Sequence, residues 1–210
     1  AWSLPHLFNV DVNRCNSMPN VARSKTGEEY YAPGMVSNVD AAVAFLVPWG
    51  QITSSRFLSH SLRMGLNVKS ADMSFVNLGV RYPAGTLIYD VKANEAGLSG
   101  KLQKIAEITG ANVTGVNDSW VTEGPSFGSG NTKRIHAPNV AILWDDPTAN
   151  YSAGNTRFVI ERQFDYPVSA IRAKDISSGD LSPFQVLIIP ESRSGYKATF
   201  GEGGANNLKE

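Results

Sequence analysis

The chain alternates short apolar runs with amphipathic segments of helical period. The first apolar run, AAVAFLVPW (41–49), predicts a strand that ends at Pro48. The next segment, TSSRFLSHSLRMG (53–65), predicts a helix, because Leu58 and Leu62 are one helical turn apart. Strand and helix therefore follow one another within about 25 residues, the spacing that is typical of βα units.

Glycines and small polar residues mark the ends of the predicted helices. Thr53 or Ser54 is the candidate N-cap of the first helix, and Gly65 is placed to end it. A second helix, predicted over GLSGKLQKIAEITG (97–110), also ends in a glycine and has one apolar face formed by Leu98, Leu102, Ile105 and Ala106. Three further segments predict strands: LNVKSAD (66–72), GTLIYDV (85–91) and ANVTGV (111–116).

The pattern lapses between Trp120 and Pro138, where Gly, Ser, Thr and Pro predominate and a loop is predicted. The alternation then resumes to the end of the sequence. We predict, in order, a strand NVAILW (139–144), a helix SAGNTRFVIERQF (152–164), a strand YPVSAIRA (166–173), a short turn or helix DISSGDL (175–181) and a strong buried strand FQVLIIPES (184–192).

Two of the apolar runs predict how the strands are arranged. Residues 141–144 and 186–189 have no polar alternation, which is typical of strands covered on both faces in a parallel sheet. Strands that alternate with helices favour the α/β class. We therefore expect a three-layer α/β fold with a mostly parallel sheet, in which 139–144 and 185–190 are neighbouring or near-neighbouring parallel strands.

Composition and charge exclude several classes of function. The 210 residues contain 19 basic and 19 acidic side chains and no basic stripe, so we expect no nucleic-acid partner. No apolar run approaches the roughly 20 residues that cross a bilayer. The N-terminus AWSLPHLFNV has no charged segment typical of a signal peptide, and we expect the chain to be part of something longer.

Cys15 is the single cysteine and cannot form an internal disulfide. Its loop context favours a buried or half-buried thiol over a nucleophile.

The three histidines do not have the spacing of a zinc site. His6, His60 and His136 lack both the H-x-x-E and the H-E-x-x-H arrangement, so we expect no protein-made metal site and no cofactor in this chain. His60 lies about 200° around its helix from Leu58 and is predicted to be an exposed surface histidine.

The sequence GPSFG (124–128) matches the G-x-S-x-G pattern of a nucleophile elbow, with Ser126 as the would-be nucleophile. Such an elbow needs a strand directly before it and a helix directly after it. Turn-forming residues follow instead, so we interpret the match as accidental and expect Ser126 in a surface loop without a catalytic base behind it.

An acidic pair ends the strand NVAILW and gives the strongest candidate site. Asp145 and Asp146 would lie at the carboxyl end of a parallel strand, where ligands bind in open α/β sheets, but a turn-capping role beside Pro147 is favoured. The N-terminus of the following helix could hold an anion, and either Arg157 or Arg162 could pair with Glu161 or Asp165. The candidate ligand-binding residues are Asp145, Asp146, Tyr151, Ser152, Gly154 and Arg157.

Several phrases resemble a known family. AWSLPHLFNVDV resembles the segment that follows the catalytic domain of large bacterial zinc carboxypeptidases of the carboxypeptidase A type. GTLIYDV, APNVAILWDD, YSAGNTRFVIERQFDYPV and DLSPFQVLIIPES resemble the class I glutamine amidotransferase-like domain that follows the peptidase. The resemblance covers most of the chain. It implies a flavodoxin-like α/β sandwich, and a secreted or periplasmic parent enzyme.

The resemblance implies no catalytic residue in this chain. The zinc ligands of the parent belong to its peptidase domain, and the G-x-C-x-G elbow of a working amidotransferase does not occur here. We therefore expect a non-catalytic accessory domain whose partner is the peptidase domain of the same chain. A small-ligand-binding module that uses the strand ends near Asp145 and Tyr151–Gly154 is the alternative, and a hydrolase using Ser126 is the weakest hypothesis.

The expected organisation has four parts. Residues 1–40 are a linker segment that follows a peptidase domain, and residues 41–119 are a first α/β half. Residues 120–138 are a Gly/Ser-rich connection. Residues 139–210 are the amidotransferase-like half, which we expect to be truncated at its C-terminus.

Overall fold

The computed structural model of the protein describes residues 13–22 and 32–209. The chain divides into two units, Ala1–Tyr30 and Tyr31–Glu210. Within the first unit, residues 13–22 have an irregular backbone, and Cys15 is exposed rather than buried or half-buried as expected. His6 and the phrase AWSLPHLFNVDV lie outside the described residues. No helix in the described ranges is long and apolar enough to cross a membrane.

The second unit is a mixed α/β structure. Its four helices are α1 (Ile52–Arg63), α2 (Leu98–Thr109), α3 (Asn150–Phe158, continued by a π-helical turn Val159–Gln163) and α4 (Lys197–Asn207). Short 3-10 turns cover Val91–Ala93 and Ala173–Ser177. The strands are β1 (Val36–Ser37), β2 (Ala44–Val47), β3 (Val68–Ala71), β4 (Phe75–Asn77), β5 (Val80–Tyr82), β6 (Leu87–Asp90), β7 (Val113–Val116), β8 (Val121–Glu123), β9 (Thr132–Ile135), β10 (Val140–Leu143), β11 (Val168–Ile171) and β12 (Val186–Ile188).

Six strands form a mixed sheet with the order β1-β7-β2-β6-β3-β9. Only β1 and β7 pair in parallel, and the four other neighbouring pairs are antiparallel. The expectation of a mostly parallel sheet therefore fails here. An unbroken apolar run indicates that a strand is buried on both faces. An antiparallel strand with a layer on each side is buried in the same way as a parallel strand. The predicted loop 120–138 also differs, because it contributes β8 and β9.

Different layers cover the two faces of the six-stranded sheet. α1 and α2 lie on one face, where Phe57 and Leu102 share a buried cluster with Phe45 of β2. The next residue of β2, Leu46, faces the other side and packs with Phe75 of the small antiparallel sheet β5-β4-β8. Successive side chains of a strand alternate between faces, so the central strands are buried on both sides.

The glycines end α1 and α2 as predicted, but the predicted N-cap of α1 is wrong. Gly65 and Gly110 follow α1 and α2 with φ of +70° and +78°, the left-handed conformation that ends helices. α1 begins at Ile52, so its N-cap residue is Gln51, whose side chain accepts no capping hydrogen bond, and neither Thr53 nor Ser54 is the N-cap. The Ser54 hydroxyl instead donates to the Pro48 carbonyl at 2.7 Å.

A buried hydrogen-bond chain fixes α1 on the sheet. The Ser61 hydroxyl donates to the carbonyl of Leu58 at 2.8 Å, and the Tyr89 hydroxyl lies 2.8 Å from the Ser61 oxygen. Because the Ser61 proton is already used, Tyr89 is the donor in the second bond. Complete burial raises the pKa of the Tyr89 phenol well above its ordinary value, so the group stays protonated.

The second sheet contains three parallel strands in the order β11-β10-β12. The prediction that 139–144 and 185–190 contain neighbouring parallel strands is confirmed, because Val140 pairs with Val186 and Ile142 with Ile188. One face packs with the π-helical end of α3 through Ile160. The other face packs Leu143 against α4 and the 3-10 turn Ala173–Ser177.

The strand β12 is not the buried strand that its sequence predicts. Val186 is 41% exposed and Ile189, just after the strand, is 44% exposed. β12 pairs only with β10 within the described chain, so one of its backbone edges is open. An apolar run predicts a strand that can be buried. The position of that strand in the sheet decides whether it is buried.

Asp165, in the loop after α3, contacts α1. Its carboxylate forms an ion pair with Arg63, and its backbone carbonyl accepts a hydrogen bond from the same guanidinium at 2.7 Å. His60 Nδ1 lies 3.7 Å from the same carboxylate, and the His60 side chain is only 17% exposed. The prediction of an exposed surface histidine is therefore wrong, because this loop covers His60.

We expect Ser61→Ala to destabilise the protein by about 1–3 kcal/mol, because the buried Tyr89 hydroxyl then has no acceptor. Tyr89→Phe should cost less, about 0.5–1.5 kcal/mol, because Ser61 keeps its bond to Leu58. The double variant should be more stable than Ser61→Ala alone, since it leaves no unpaired phenol. Urea unfolding of the three variants measures this: strictly additive losses would contradict the bond between Ser61 and Tyr89, and a larger loss in Tyr89→Phe than in Ser61→Ala would contradict its direction.

The protonation of His60 should weaken the fold in mild acid. Burial, the largest effect, and the nearby Arg56 and Arg63 lower the pKa of His60, while the charge of Asp165 only partly opposes them. The unfolded chain therefore binds this proton more readily, so the stability is present above about pH 6.5 and declines below it. Between pH 7.5 and 5.5, His60→Gln should lose less unfolding free energy than the parent chain does. The exposed His136 gives the control His136→Gln, and an unchanged slope in His60→Gln would refute the assignment.

Candidate functional site

The predicted acidic pair lies where β10 ends and the chain turns. β10 stops at Leu143, and the Asp146–Pro147 peptide bond is cis. The backbone carbonyl of Asp145 accepts from the Thr148 N–H at 2.9 Å, which closes the turn. The two aspartates therefore have different surroundings: Asp145 is half-buried and Asp146 is exposed.

The side chain of Asp145 binds the segment that follows the neighbouring strand β11. Its Oδ1 accepts the backbone N–H of Ala173 at 2.7 Å, at the first residue of the 3-10 turn that follows β11. A carboxylate at the start of such a turn satisfies a backbone donor that otherwise has no partner. The side chain of Asp146 makes no hydrogen bond or ion pair among the described residues. A capping role beside Pro147 was expected for one of the two aspartates; the Asp145 side chain instead caps the distant turn Ala173–Ser177, and only its backbone carbonyl closes its own turn.

Tyr151 and Ser152 are both bound to the segment that follows β12. The Tyr151 hydroxyl donates to Glu191 Oε2 at 2.8 Å, and Ser152 Oγ accepts the Glu191 N–H at 3.1 Å. The hydrogen bond to Glu191, together with its negative charge, raises the pKa of the exposed Tyr151 phenol. Sequence reasoning missed Glu191, because nothing in the pattern indicates that loops 40 residues apart meet.

A second group of bonds joins the same two loops. Ser192 Oγ donates to the Pro147 carbonyl at 3.0 Å, and the Ala149 N–H donates to the Glu191 carbonyl at 2.8 Å. The Thr148 and Tyr196 hydroxyls lie 3.0 Å apart, and Tyr196 also donates to the Pro190 carbonyl. The strand ends of β10 and β12 are therefore held together by bonds within the protein.

The remaining predicted residues do not converge on a ligand position. Gly154 lies inside α3, away from its N-terminus. The Arg157 guanidinium stacks 5.0 Å above the Trp144 ring, and its Nε lies 3.0 Å from Glu161 Oε1. The open choice between Glu161 and Asp165 is thereby settled for Arg157, which pairs with Glu161.

Ser126 is exposed in a loop, and its hydroxyl has no hydrogen-bond partner among the described residues. The strand β8 ends at Glu123, and the next regular element is the strand β9 rather than a helix. The geometry of a nucleophile elbow is therefore absent from this part of the described chain. No group of three or more His, Cys, Asp or Glu that could hold a metal is found within residues 13–22 and 32–209.

A cleft that the sequence did not predict lies on the six-stranded sheet. It has a volume of about 580 Å³, and its lining includes Ala42, Val43, Lys69, Asp90, Lys92, Ser119, Ser126 and Phe127. We call it the Lys69 cleft. Lys69 Nζ lies 2.6 Å from Asp90 Oδ2 and donates to the Phe127 carbonyl at 3.2 Å. The sequence signal is one charged residue in each of two otherwise uncharged strands, VKSA and LIYD.

No protein-family model matches this chain, and no curated protein and no solved structure matches it either. Its chemistry therefore has to be argued from its own residues. At the strand ends those residues bond to one another. In the Lys69 cleft, charged and hydroxyl groups still have free hydrogen-bonding capacity.

The role of Asp145 in holding the loop can be tested with its neighbour as the control. Asp145→Ala should destabilise the protein by about 1–2 kcal/mol, because the Ala173 N–H loses a charged acceptor. Asp146→Ala, which removes the same charge from an exposed side chain, should change stability by less than about 0.5 kcal/mol. Chemical denaturation compares the pair. Equal losses in the two variants would remove the capping role of Asp145.

Proposed function

We propose that this chain is a non-catalytic accessory domain of a zinc carboxypeptidase and acts through the peptidase domain of the same chain. The hydrogen bonds at the ends of β10, β11 and β12 support this proposal. The polar groups where such a sheet would hold its reacting residues are bonded to the protein itself, as Asp145 is to Ala173 and Ser152 to Glu191.

The proposal includes the finer fold that the resemblance implies, a flavodoxin-like, class I amidotransferase-like three-layer sandwich. It is supported by the arrangement of β10, α3 and β11, in which two parallel neighbouring strands are joined through a helix packed on the sheet. Helical segments on both faces of β11-β10-β12 suit the same architecture. The proposed amidotransferase-like half is 139–210, with 1–40 as linker, 41–119 as first half and 120–138 as connection.

The parent enzyme supplies the chemistry in this proposal. Zinc and its ligands belong to the peptidase domain, which removes C-terminal residues from peptides, and the protein is secreted or periplasmic. This chain contributes no metal ligand and no nucleophile. Within the described residues Ser126 has no base bonded to it, and Lys69, which lines the same cleft, is bonded to Asp90 and the Phe127 carbonyl.

The alternative of a ligand site at the strand ends has less support. A ligand there would need donors or acceptors from Asp145, Tyr151 or Ser152, and each already has a partner in the protein. Displacing those bonds would leave backbone groups of Ala173 and Glu191 without partners, which costs about 1–3 kcal/mol for each buried group.

Activity assays on the chain of residues 1–210 and on the full-length gene product test the proposal. The full-length protein should hydrolyse peptides with a free C-terminal carboxylate, spare amidated ones, and lose activity to a zinc chelator. Residues 1–210 alone should hydrolyse neither, because the part of the chain that the structure describes offers no metal-binding group and no hydroxyl nucleophile with a base bonded to it. A coding sequence without an H-x-x-E zinc motif upstream, or chelator-resistant activity of residues 1–210 that Ser126→Ala abolishes, would overturn the proposal.

A further inference from the structure

The Lys69 cleft is created by the register of the six-stranded sheet. Lys69 of β3 lies opposite Ile88 of β6 and opposite Arg134 of β9. Asp90 is two residues after Ile88, so it projects from the same face as Lys69. A smaller adjoining cavity of about 240 Å³ shares Lys69 and Asp90 and extends the cleft to Arg134. The charged groups therefore meet on one sheet face, although 21 positions separate Lys69 from Asp90 in the sequence.

An ion pair at this place is not needed for packing. On the same face, Leu46, Ile88 and Ala71 form part of a buried apolar cluster, and Arg134 lies opposite Lys69 at its edge. The side chains of Lys69 and Asp90 are 32% and 23% exposed, and ion pairs that are partly open to water add little to stability. Two charges retained on an apolar, concave surface favour recognition of a ligand.

The cleft has hydrogen-bonding capacity left over. Lys69 has three N–H donors, of which one meets Asp90 and one meets the Phe127 carbonyl. The second oxygen of Asp90, Oδ1, accepts nothing among the described residues. Lys92 likewise has no ion pair or hydrogen bond within the described ranges, and neither has the Ser119 hydroxyl. Cationic donors, one anionic acceptor and neutral hydroxyls are thus available together.

The charges select the class of ligand. Lys69 and Lys92 can receive a carboxylate and Asp90 can receive an ammonium, so the lining suits a ligand that carries both charges. A phosphate dianion would face the free oxygen of Asp90, where like charges repel. The same oxygen can accept from an ammonium or hydroxyl group, and the apolar wall of Val43 and Phe127 can receive an aliphatic side chain.

We propose that the Lys69 cleft binds a small zwitterion with an aliphatic side chain, of the size of an amino acid or a dipeptide. Its carboxylate contacts the ammonium groups of Lys69 and Lys92, its ammonium contacts Asp90, and its side chain lies against Phe127. A volume of about 580 Å³ is within the range of small-molecule sites. This site is independent of the accessory-domain proposal, since it uses neither the strand ends of β10 nor the peptidase domain.

Calorimetric titration of the chain with L-leucine and leucyl-leucine tests the site. Leucinamide, which lacks the carboxylate, and isocaproate, which lacks the ammonium, should each bind at least about tenfold more weakly than leucine. Inorganic phosphate should not displace leucine. The proposal would be overturned if neither leucine nor leucyl-leucine bound detectably at about 10 mM, a concentration above the dissociation constant expected for ligands of this size.

Variants connect the binding to the cleft. Lys92→Gln changes an exposed side chain and should weaken leucine binding about tenfold without altering the unfolding temperature. Asp90→Asn should weaken leucine more than isocaproate, because only leucine has an ammonium for Asp90. The control Lys104→Gln removes an exposed lysine from α2, on the opposite face of the sheet, and should bind as the parent does. Equal binding by Lys92→Gln and Lys104→Gln would contradict the site.

Discussion

The central strands β2 and β6 have to be kept from water on both faces, and the architecture of the first sheet follows from that requirement. Phe45 and Leu46, or Ile88 and Tyr89, are adjacent apolar residues that point in opposite directions and are all buried. One layer cannot cover both. The helices α1 and α2 cover one face, while the small sheet β5-β4-β8 and Phe127 cover the other. Where this second layer stops, beside the loop that carries Phe127, the sheet face opens as the Lys69 cleft.

Local signals in the sequence predicted the elements well where local physics decides them. Gly65 and Gly110 end their helices because only glycine adopts a positive φ at little cost. The apolar runs around Ile142 and Leu187 are strands, and they pair in parallel. The sequence could not predict the direction of the other strands, because an apolar run such as AFLV is the same whether its neighbours are parallel or antiparallel. The strands β8 and β9 were missed because their exposed residues do not form an apolar pattern.

The candidate sites show the same division. A capping role beside Pro147 was predicted for Asp145 or Asp146, but the turn that Asp145 caps begins at Ala173, after the distant end of β11. Tyr151 donates a hydrogen bond to Glu191 after β12, a partner that the sequence pattern did not indicate. The pair of Lys69 and Asp90 could not be found from spacing, because it depends on the register of β3 against β6. Pairings across a sheet are long-range properties, and a sequence pattern reports only what lies within a few turns of chain.

The open side of β12 has a consequence for how the protein behaves in solution. A strand whose N–H and C=O groups lack a partner on one side, and whose neighbouring side chains include the exposed Val186 and Ile189, is a template for pairing with another polypeptide. The usual deterrents, a lysine, a proline or a bulge within the edge, are absent from Val186–Ile188. Such an edge would make self-association through that side depend on protein concentration, whereas the helix-covered faces of the same sheet offer no row of backbone groups for pairing.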